Sequence, residues 1–284
     1  MANLDLIVRA LRAQCPGLEI LEHEPMRAHC SFRIGGPARA LVRPASAEET
    51  AAVCRIVREG GTQPLIIGNG TNLLITDGAL ERIVVQMGDN MAAVTQQDAT
   101  HLSAGAGIPL ARLAQAALGC GLAGLEFAHG IPGSLGGAVS MNAGAYGGQM
   151  SDVLVSAEAV SSDGAAVREV PASAMALGYR HSVLMETGEI VLSVRVRLHP
   201  DDKAEIGARM EEFMRRRREK QPLEYPSAGS FFKRPAGYFA GALIEQSGLK
   251  GFAVGGAQVS EKHAGFVVNR GGATTDDIRR TMEL

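Results

Sequence analysis

Residues Gly130-Ile-Pro-Gly-Ser-Leu-Gly-Gly-Ala-Val-Ser-Met-Asn-Ala-Gly-Ala-Tyr-Gly-Gly148 hold seven glycines in nineteen positions, together with Ser134, Ser140 and Asn142, and carry no charged side chain. A solvated surface loop is usually rich in Lys, Glu and Asp. A charge-free, glycine-dense one reads as backbone held tightly against a ligand, with amides as the donors. A second break, Gly68-Asn-Gly-Thr-Asn-Leu73, follows the short apolar strand Pro64–Ile67. Small residues there let N–H groups approach a phosphate. It is not a P-loop, because no Gly-Lys-Ser/Thr follows, and not a dinucleotide fingerprint, because Leu73 takes the third glycine place. Alone, it is equally a simple turn.

Around these breaks the periodicity outlines a mixed α/β chain. Residues 3–14 predict an amphipathic helix through Leu4, Ile7, Val8 and Leu11. A helix opens at Ser46 with Glu49 as capping box and stops at Gly60-Gly61. Leu73–Ile75 and Arg82–Val85 read as further strands, completing a small α/β unit over about residues 20–85. His101–Gly105 reads as a strand end, and Pro109–Leu118 as a helix with Pro in its first turn. Strands over 152–160 and 165–170 flank the turn Asp163-Gly164, and 189–198 alternates Val194, Val196 and Leu198 with Arg195 and Arg197. Asp201–Lys220 is a helix, acidic early and basic late, and the run Arg215–Arg218 is its solvated end. A helix around Tyr238–Gln246, a strand at 265–269 and a helix from Thr275 follow. No stop signal precedes Leu284, so a truncated sequence is expected.

Composition narrows the function classes. Of 284 residues, 46% are hydrophobic and 20% charged, as in a chain that buries a core. Glycine, at 35 residues, is well above its usual share of roughly 7%. Aromatics at 4%, no Trp and a net charge of −2 argue against stacked-base or polyanion binding. Cys15, Cys30, Cys54 and Cys120 form no CxxC pair, and the seven histidines have no metal-ligand spacing, so neither a metal site nor a disulfide frame is expected. No apolar run approaches 18 residues and the N-terminus is not a signal peptide, so a reducing cytoplasm is the expected compartment.

Two further stretches carry chemistry. Tyr179-Arg-His-Ser182 sets a guanidinium beside a phenol, suited to capture of a carboxylate or phosphate, though alone it is more often a surface pair than a site. Tyr225-Pro-Ser-Ala-Gly-Ser-Phe-Phe-Lys-Arg-Pro235 joins a tight turn to the Ser230 hydroxyl and the cations Lys233 and Arg234. It is not the GxSxG elbow of hydrolases, so Ser230 reads as a donor of a proton or hydrogen bond.

Together these segments, with Ser31-Phe-Arg-Ile-Gly-Gly-Pro37 and Gly255-Gly-Ala-Gln-Val-Ser-Glu-Lys-His-Ala-Gly265, resemble the UDP-N-acetylenolpyruvoylglucosamine reductases, in family order over about residues 20–280. The short interval between Tyr146 and Arg180 resembles the family's shorter subtype. The resemblance implies an α+β fold: a two-domain FAD-binding module of the vanillyl-alcohol-oxidase (PCMH-type) superfamily, over residues 1–88 and 89–200, plus a C-terminal α/β substrate domain over 201–284. It implies that Gly68, Asn69, Gly70, Thr71, Asn72 and Leu73 bind FAD with Gly130, Ile131, Pro132, Gly133, Ser134, Gly136, Gly137, Ala138, Asn142, Ala143 and Gly144.

The implied reaction passes hydride from NADPH to FAD and then to the enolpyruvyl double bond of UDP-N-acetylglucosamine enolpyruvate, giving UDP-N-acetylmuramate for peptidoglycan, and so for cell wall, shape and division. By the same resemblance Ser230 is the proton donor and Arg180 the partner of carboxylate and developing enolate, with Tyr146, Tyr179, Lys233 and His263 binding substrate. The family's C-terminal catalytic glutamate has no match, and Glu283 does not take its role. A cytoplasmic monomer without nucleic-acid or membrane partners is expected. Two alternatives stand beside this: a flavin oxidase of the same superfamily, in which His129 could tether FAD, and a UDP-sugar-binding protein without full turnover.

Overall fold

The computed structural model describes residues 3–283. The chain forms two compact units. Unit 1 takes in the chain up to His23, Arg39–Asn69 and Glu81–Met214, and unit 2 takes in Glu24–Ala38, Gly70–Leu80 and the chain from Arg215. Residues 1, 2 and 284, at the ends of the expected division at 88 and 200, lie outside the described residues. No helix among the described residues is long and apolar enough to cross a membrane.

Unit 1 opens with α1 (Leu4–Gln14), capped by the Asn3 carboxamide, which accepts from the Leu6 amide, and it buries Ile7, Val8 and Leu11. The first sheet has four strands: β1 (Glu19–Pro25), β2 (Pro37–Arg43), β3 (Leu65–Ile67) and β4 (Leu80–Gln86), in the order β1-β2-β4-β3 with β3 and β4 parallel. Helix α2 (Ala47–Glu59) is capped by Ser46, whose hydroxyl accepts from the Glu49 amide. The Glu49 carboxylate returns to the Ala45 N–H at 2.7 Å, one residue short of a capping box.

The second sheet comprises β5 (Val94–Gln96), β6 (His101–Gly105), β10 (Leu154–Val160), β11 (Val167–Pro171) and β12 (Ile190–Arg197), all antiparallel in the order β11-β10-β12-β6-β5. Between β6 and β10 lie α3 (Leu110–Gly119), β7 (Leu122–Ala123), α4 (Leu135–Ser140), β8 (Gly144–Ala145) and β9 (Gly148–Gln149). Leu102, Ala104, Val194 and Val196 bury one face of this sheet, and α4 packs on β12 and β6. The other face is polar, with Ser103, Glu158, Ser193 and Arg195 lining a cavity of about 480 Å³. After β12, α5 (Leu184–Thr187) having preceded it, come β13 (His199–Pro200) and α6 (Lys203–Lys220). Helix α6 starts two residues later than expected because the Asp202 carboxylate accepts from the amides of Ala204 and Glu205.

Unit 2 contains α7 (Ala240–Gln246), the antiparallel meander β14 (Ala253–Val254), β15 (Ala257–Val259) and β16 (Val267–Asn269), and α8 (Thr275–Met282). A full capping box of Thr274 and Asp277 opens α8, and Ile278 anchors it.

Three expectations are corrected. Leu73–Ile75 is not a strand, because its backbone is used elsewhere: the Ile75 carbonyl accepts from the Thr275 hydroxyl at 2.6 Å, and the next carbonyl, of Thr76, accepts from the Gly36 amide at 2.7 Å. The glycine-rich stretch is not all loop, since burial of Leu135, Ala138 and Val139 on the sheet makes α4 helical despite Gly136-Gly137. The basic end of α6 is not wholly solvated, since Arg217 is buried and donates to the Gln221 carboxamide.

Candidate functional site

The glycine-rich segment is fastened to the chain that follows β6. The Leu135 and Gly136 amides donate to the carbonyls of Ile108 and Ala106 at 2.9 and 2.8 Å, and the Leu110 amide donates to the Gly133 carbonyl at 2.9 Å. The Ala138 amide closes on the Ser134 carbonyl. Three amides at the start of α4 are thus spent inside the protein, which corrects the reading of the whole segment as ligand donors. Those bonds do not use the amides of Ser134 and Gly137. Several glycines are there for contact with protein. A Cβ on Gly68 would lie 1.8 Å from Ser134 Oγ, on Gly136 2.9 Å from Ala106 Cβ, and on Gly148 2.7 Å from the Phe127 ring. Gly137 faces open space, its nearest neighbour being Ser134 Oγ at 3.7 Å.

Strands β8 and β9 meet at Tyr146-Gly147, with φ of 53° and 88°, a two-residue turn in which both residues are left-handed. Gly147 adopts this freely, whereas a tyrosine does so under strain. The Tyr146 ring stacks on Phe213 at 5.0 Å and 6°.

Arg180 joins this hairpin. It too is left-handed, at φ 55°, and its Nη2 donates to the Gly144 carbonyl at 3.1 Å. Two more bonds tie the same turn to the segment. The Asn142 Nδ2 donates to the Gly178 carbonyl at 3.1 Å, and the fully buried Ser182 hydroxyl donates to the Ser140 carbonyl at 2.7 Å. Asn142 Oδ1 accepts from the Ser151 amide, so its side chain is committed to the protein. Tyr179 is exposed, with the Arg180 guanidinium 5.2 Å from its ring centre. The structure therefore brings Arg180, Tyr146, Tyr179 and Gly130–Gly144 together, with Gly68 against Ser134.

In unit 2, Gly70 has φ 60°, and a Cβ there would meet the His29 carbonyl at 2.0 Å; its own carbonyl accepts from the Ser31 amide. Thr71 and Asn72 follow as a turn, and Leu73 continues it without regular structure. The Ser31 hydroxyl donates to the Ser227 carbonyl, fixing the start of the Ser230 segment. Ser230 is exposed and bridges Phe266, while the Phe231 amide donates to the Gly265 carbonyl. A Cβ on Gly265 would lie 3.2 Å from Ser230 Oγ and 2.9 Å from His263 Cε1, so this glycine lets the hydroxyl and the imidazole share one spot. His263 Nδ1 accepts from the Gly265 amide at 3.1 Å, which leaves the proton of the neutral ring on Nε2. Burial pushes its pKa below the ordinary value, so the ring is neutral at pH 7. Lys233 is exposed and makes no ion pair among the described residues. Sequence reasoning missed Gly265 and the structural roles of Asn142 and Ser182. The glycine was one of 35, and the polar pair gave no signal beyond their motifs.

The residues of unit 1 fit FAD. Gly130–Gly148 holds no carboxylate to repel a pyrophosphate, and Gly137 is open. Beside Gly130, His129 has a buried Nδ1 with no partner among the described residues. A buried polar atom left unpaired is unfavourable, and a polar ligand would satisfy it. Among the described residues no group of three His, Cys, Asp or Glu could hold a metal.

Comparison with known proteins matches both halves of the chain. A family model described as "FAD binding domain" matches residues 38–169, and one described as "UDP-N-acetylenolpyruvoylglucosamine reductase, C-terminal domain" matches 221–284. A UDP-N-acetylenolpyruvoylglucosamine reductase of Syntrophomonas wolfei is 48% identical over 269 residues, covering 95% of this chain and 89% of the relative. The crystal structure of the Thermus caldophilus enzyme superimposes with a TM-score of 0.80 at 36% identity, covering 94% and 93% of the two chains. Glucooligosaccharide oxidase of Acremonium strictum, at 19% identity and TM-score 0.54 over 68% of this chain and 42% of its own, shares the fold alone.

Proposed function

The chain belongs to the UDP-N-acetylenolpyruvoylglucosamine reductase family, and from that premise we propose which of its residues carry the reaction. The activity is the NADPH-dependent reduction of UDP-N-acetylglucosamine enolpyruvate to UDP-N-acetylmuramate, in peptidoglycan precursor synthesis. Bound FAD supplies the hydride carrier between NADPH and the enolpyruvyl double bond. The Gly68–Leu73 and Gly130–Gly144 segments hold that cofactor, with the amides of Ser134 and Gly137 and the His129 imidazole as the polar groups left over for it. Arg180 binds the substrate carboxylate and stabilises the negative charge that builds there as hydride arrives. Ser230 gives its proton to the carbon next to the carboxylate, which shares the enolate charge after hydride has added to the neighbouring carbon. Tyr146, Tyr179, Lys233 and His263 bind substrate, His263 as a neutral donor through Nε2.

The observation that carries this reading is the placement of Arg180. An arginine whose backbone is held left-handed and whose guanidinium is bonded to the Gly144 carbonyl lies where strain is expected of a working residue rather than a surface one. The same proposal gives residues 1–88 and 89–200 to the cofactor and 201–284 to the substrate, and places the enzyme in the cytoplasm as a monomer without nucleic-acid or membrane partners.

Ser230→Ala tests the proton donor. NADPH should still bleach the flavin, while its reoxidation by substrate falls on the order of 10²–10⁴-fold, the usual worth of a general acid. Reoxidation at the parental rate would remove Ser230 from the role.

A further inference from the structure

Three hydrogen bonds join the 178–182 turn to residues 140–144. The Ser182 hydroxyl reaches the Ser140 carbonyl at 2.7 Å, the Asn142 carboxamide reaches the Gly178 carbonyl at 3.1 Å, and Arg180 reaches the Gly144 carbonyl at 3.1 Å. Ser182 and Asn142 are 0% and 2% exposed. Asn142 is itself left-handed at φ 41°, and it also takes the Ser151 amide, so three stretches of chain close on one side chain. The two outer bonds fix the ends of a five-residue turn whose middle residue, Arg180, is held at φ 55°. A left-handed arginine persists only where its surroundings over-determine it, and those two buried bonds supply the constraint.

We propose that Ser182 and Asn142 are positioning residues. By clamping the turn to the glycine-rich segment, they hold the Arg180 guanidinium at the place and angle the reaction needs, and they tie that aim to the segment assigned to the cofactor. The inference rests on the reading of Arg180 as the partner of the substrate carboxylate. Neither side chain touches substrate or cofactor in this account, and both act through Arg180 alone.

The test is a double-mutant cycle on the FAD-loaded enzyme. Ser182→Ala removes one bond. Asn142→Asp keeps the acceptor for Ser151 but loses the donor to Gly178, and so probes the clamp at a second point if Ser182→Ala does not fold. Each variant is reduced anaerobically with dithionite and mixed with enolpyruvyl-UDP-N-acetylglucosamine. The reoxidation rate is read at 450 nm, substrate affinity from the perturbed spectrum of the oxidised flavin, and FAD affinity from fluorescence quenching. Arg180→Ala should slow reoxidation about a hundredfold or more, and each clamp variant about tenfold, with weaker substrate binding, while FAD affinity should be unchanged in Ser182→Ala, which adds no charge to the cofactor segment. In the Arg180→Ala background the clamp substitutions should cost nothing further, because no guanidinium remains to be aimed. If instead the tenfold losses multiply with that of Arg180→Ala, the clamp acts on something other than Arg180 and the inference is overturned, while the role of Arg180 stands. An Arg180→Ala enzyme that binds and reduces substrate like the parent would overturn the role of Arg180 itself, and this inference with it.

Discussion

Gly68 shows at the residue scale how a glycine is dictated by its neighbours. A Cβ there would lie 1.8 Å from Ser134 Oγ and 3.1 Å from Ser134 Cβ, so rotation of the hydroxyl relieves only part of the clash. Gly68→Ala should therefore destabilise by about 1–3 kcal/mol, as overpacking does, and weaken FAD binding through the displaced Ser134. Melting with and without FAD measures both effects, and the pair Gly68→Ala with Ser134→Ala should regain much of the stability. A melting curve indistinguishable from the parent would mean that the two residues do not press on each other. The same geometry explains why the sequence was legible here only in part. Glycine density announces close backbone approach, but a string of letters does not say what approaches. At Gly36, Gly136 and Gly148 the neighbour is the protein itself. Ser230 and Arg180 are proposed from their motifs, whereas the left-handed backbone of Arg180 and of Tyr146 leaves no mark on the sequence.

Among the elements, those announced by local chemistry appear where they were read. Helices α1, α2 and α8 have side-chain caps and one apolar face, signals contained within a dozen residues. Helix α4 and the extended stretch at 73–75 depend on distant partners, which is why the first was hidden and the second misread. Helix α6 adds a long-range tie that no local pattern shows. Arg209 donates to the carboxylate of Glu126, at 2.8 Å, in the turn that leads to His129, and to Asp201 at 2.6 Å. Burial pushes the Glu126 pKa up, but its own amide, Arg209 and the Gly124 amide outweigh that and leave it below the ordinary value of 4.5. A carboxyl whose folded pKa is depressed contributes stability above its unfolded pKa and loses it as pH falls through the folded one. Arg209→Met should thus cost about 1–2 kcal/mol at pH 7, less than for a fully buried pair because the arginine side chain is 40% exposed. In urea titrations the gap from the parent should narrow as pH falls below the ordinary Glu range and through the depressed folded pKa, where Glu126 takes up its proton. A gap that keeps its size as the carboxylates are protonated would assign the loss to packing of the arginine stem instead.

For the molecule as a whole, cofactor and stability are one equilibrium. A ligand that binds only the folded chain adds RT ln(1 + [L]/Kd), about 2.7 kcal/mol at a hundred times Kd. The net charge of −2 supplies no broad attraction for an anionic dinucleotide, so binding must come from local donors. His129 Nδ1 is the buried donor or acceptor in unit 1 beside the glycine-rich segment that the protein leaves unpaired. His129→Ala removes it without touching the bonds that hold Gly133, Leu135 and Gly136. The apo variant should melt like the parent or slightly above it, since the unpaired atom is gone, while its FAD-dependent rise in melting temperature shrinks as FAD affinity falls about tenfold, the worth of one good hydrogen bond. The flavin itself should leave with denaturant. Cys15, Cys30 and Cys54 are buried, and the Cys54 thiol is pushed up to about 12, far from the thiolate a covalent link would draw on. A denatured, filtered sample of the parent that keeps its yellow colour would mean a covalent tether. If His129→Ala then released that colour, the unpaired nitrogen would be the attachment point rather than a hydrogen-bonding partner.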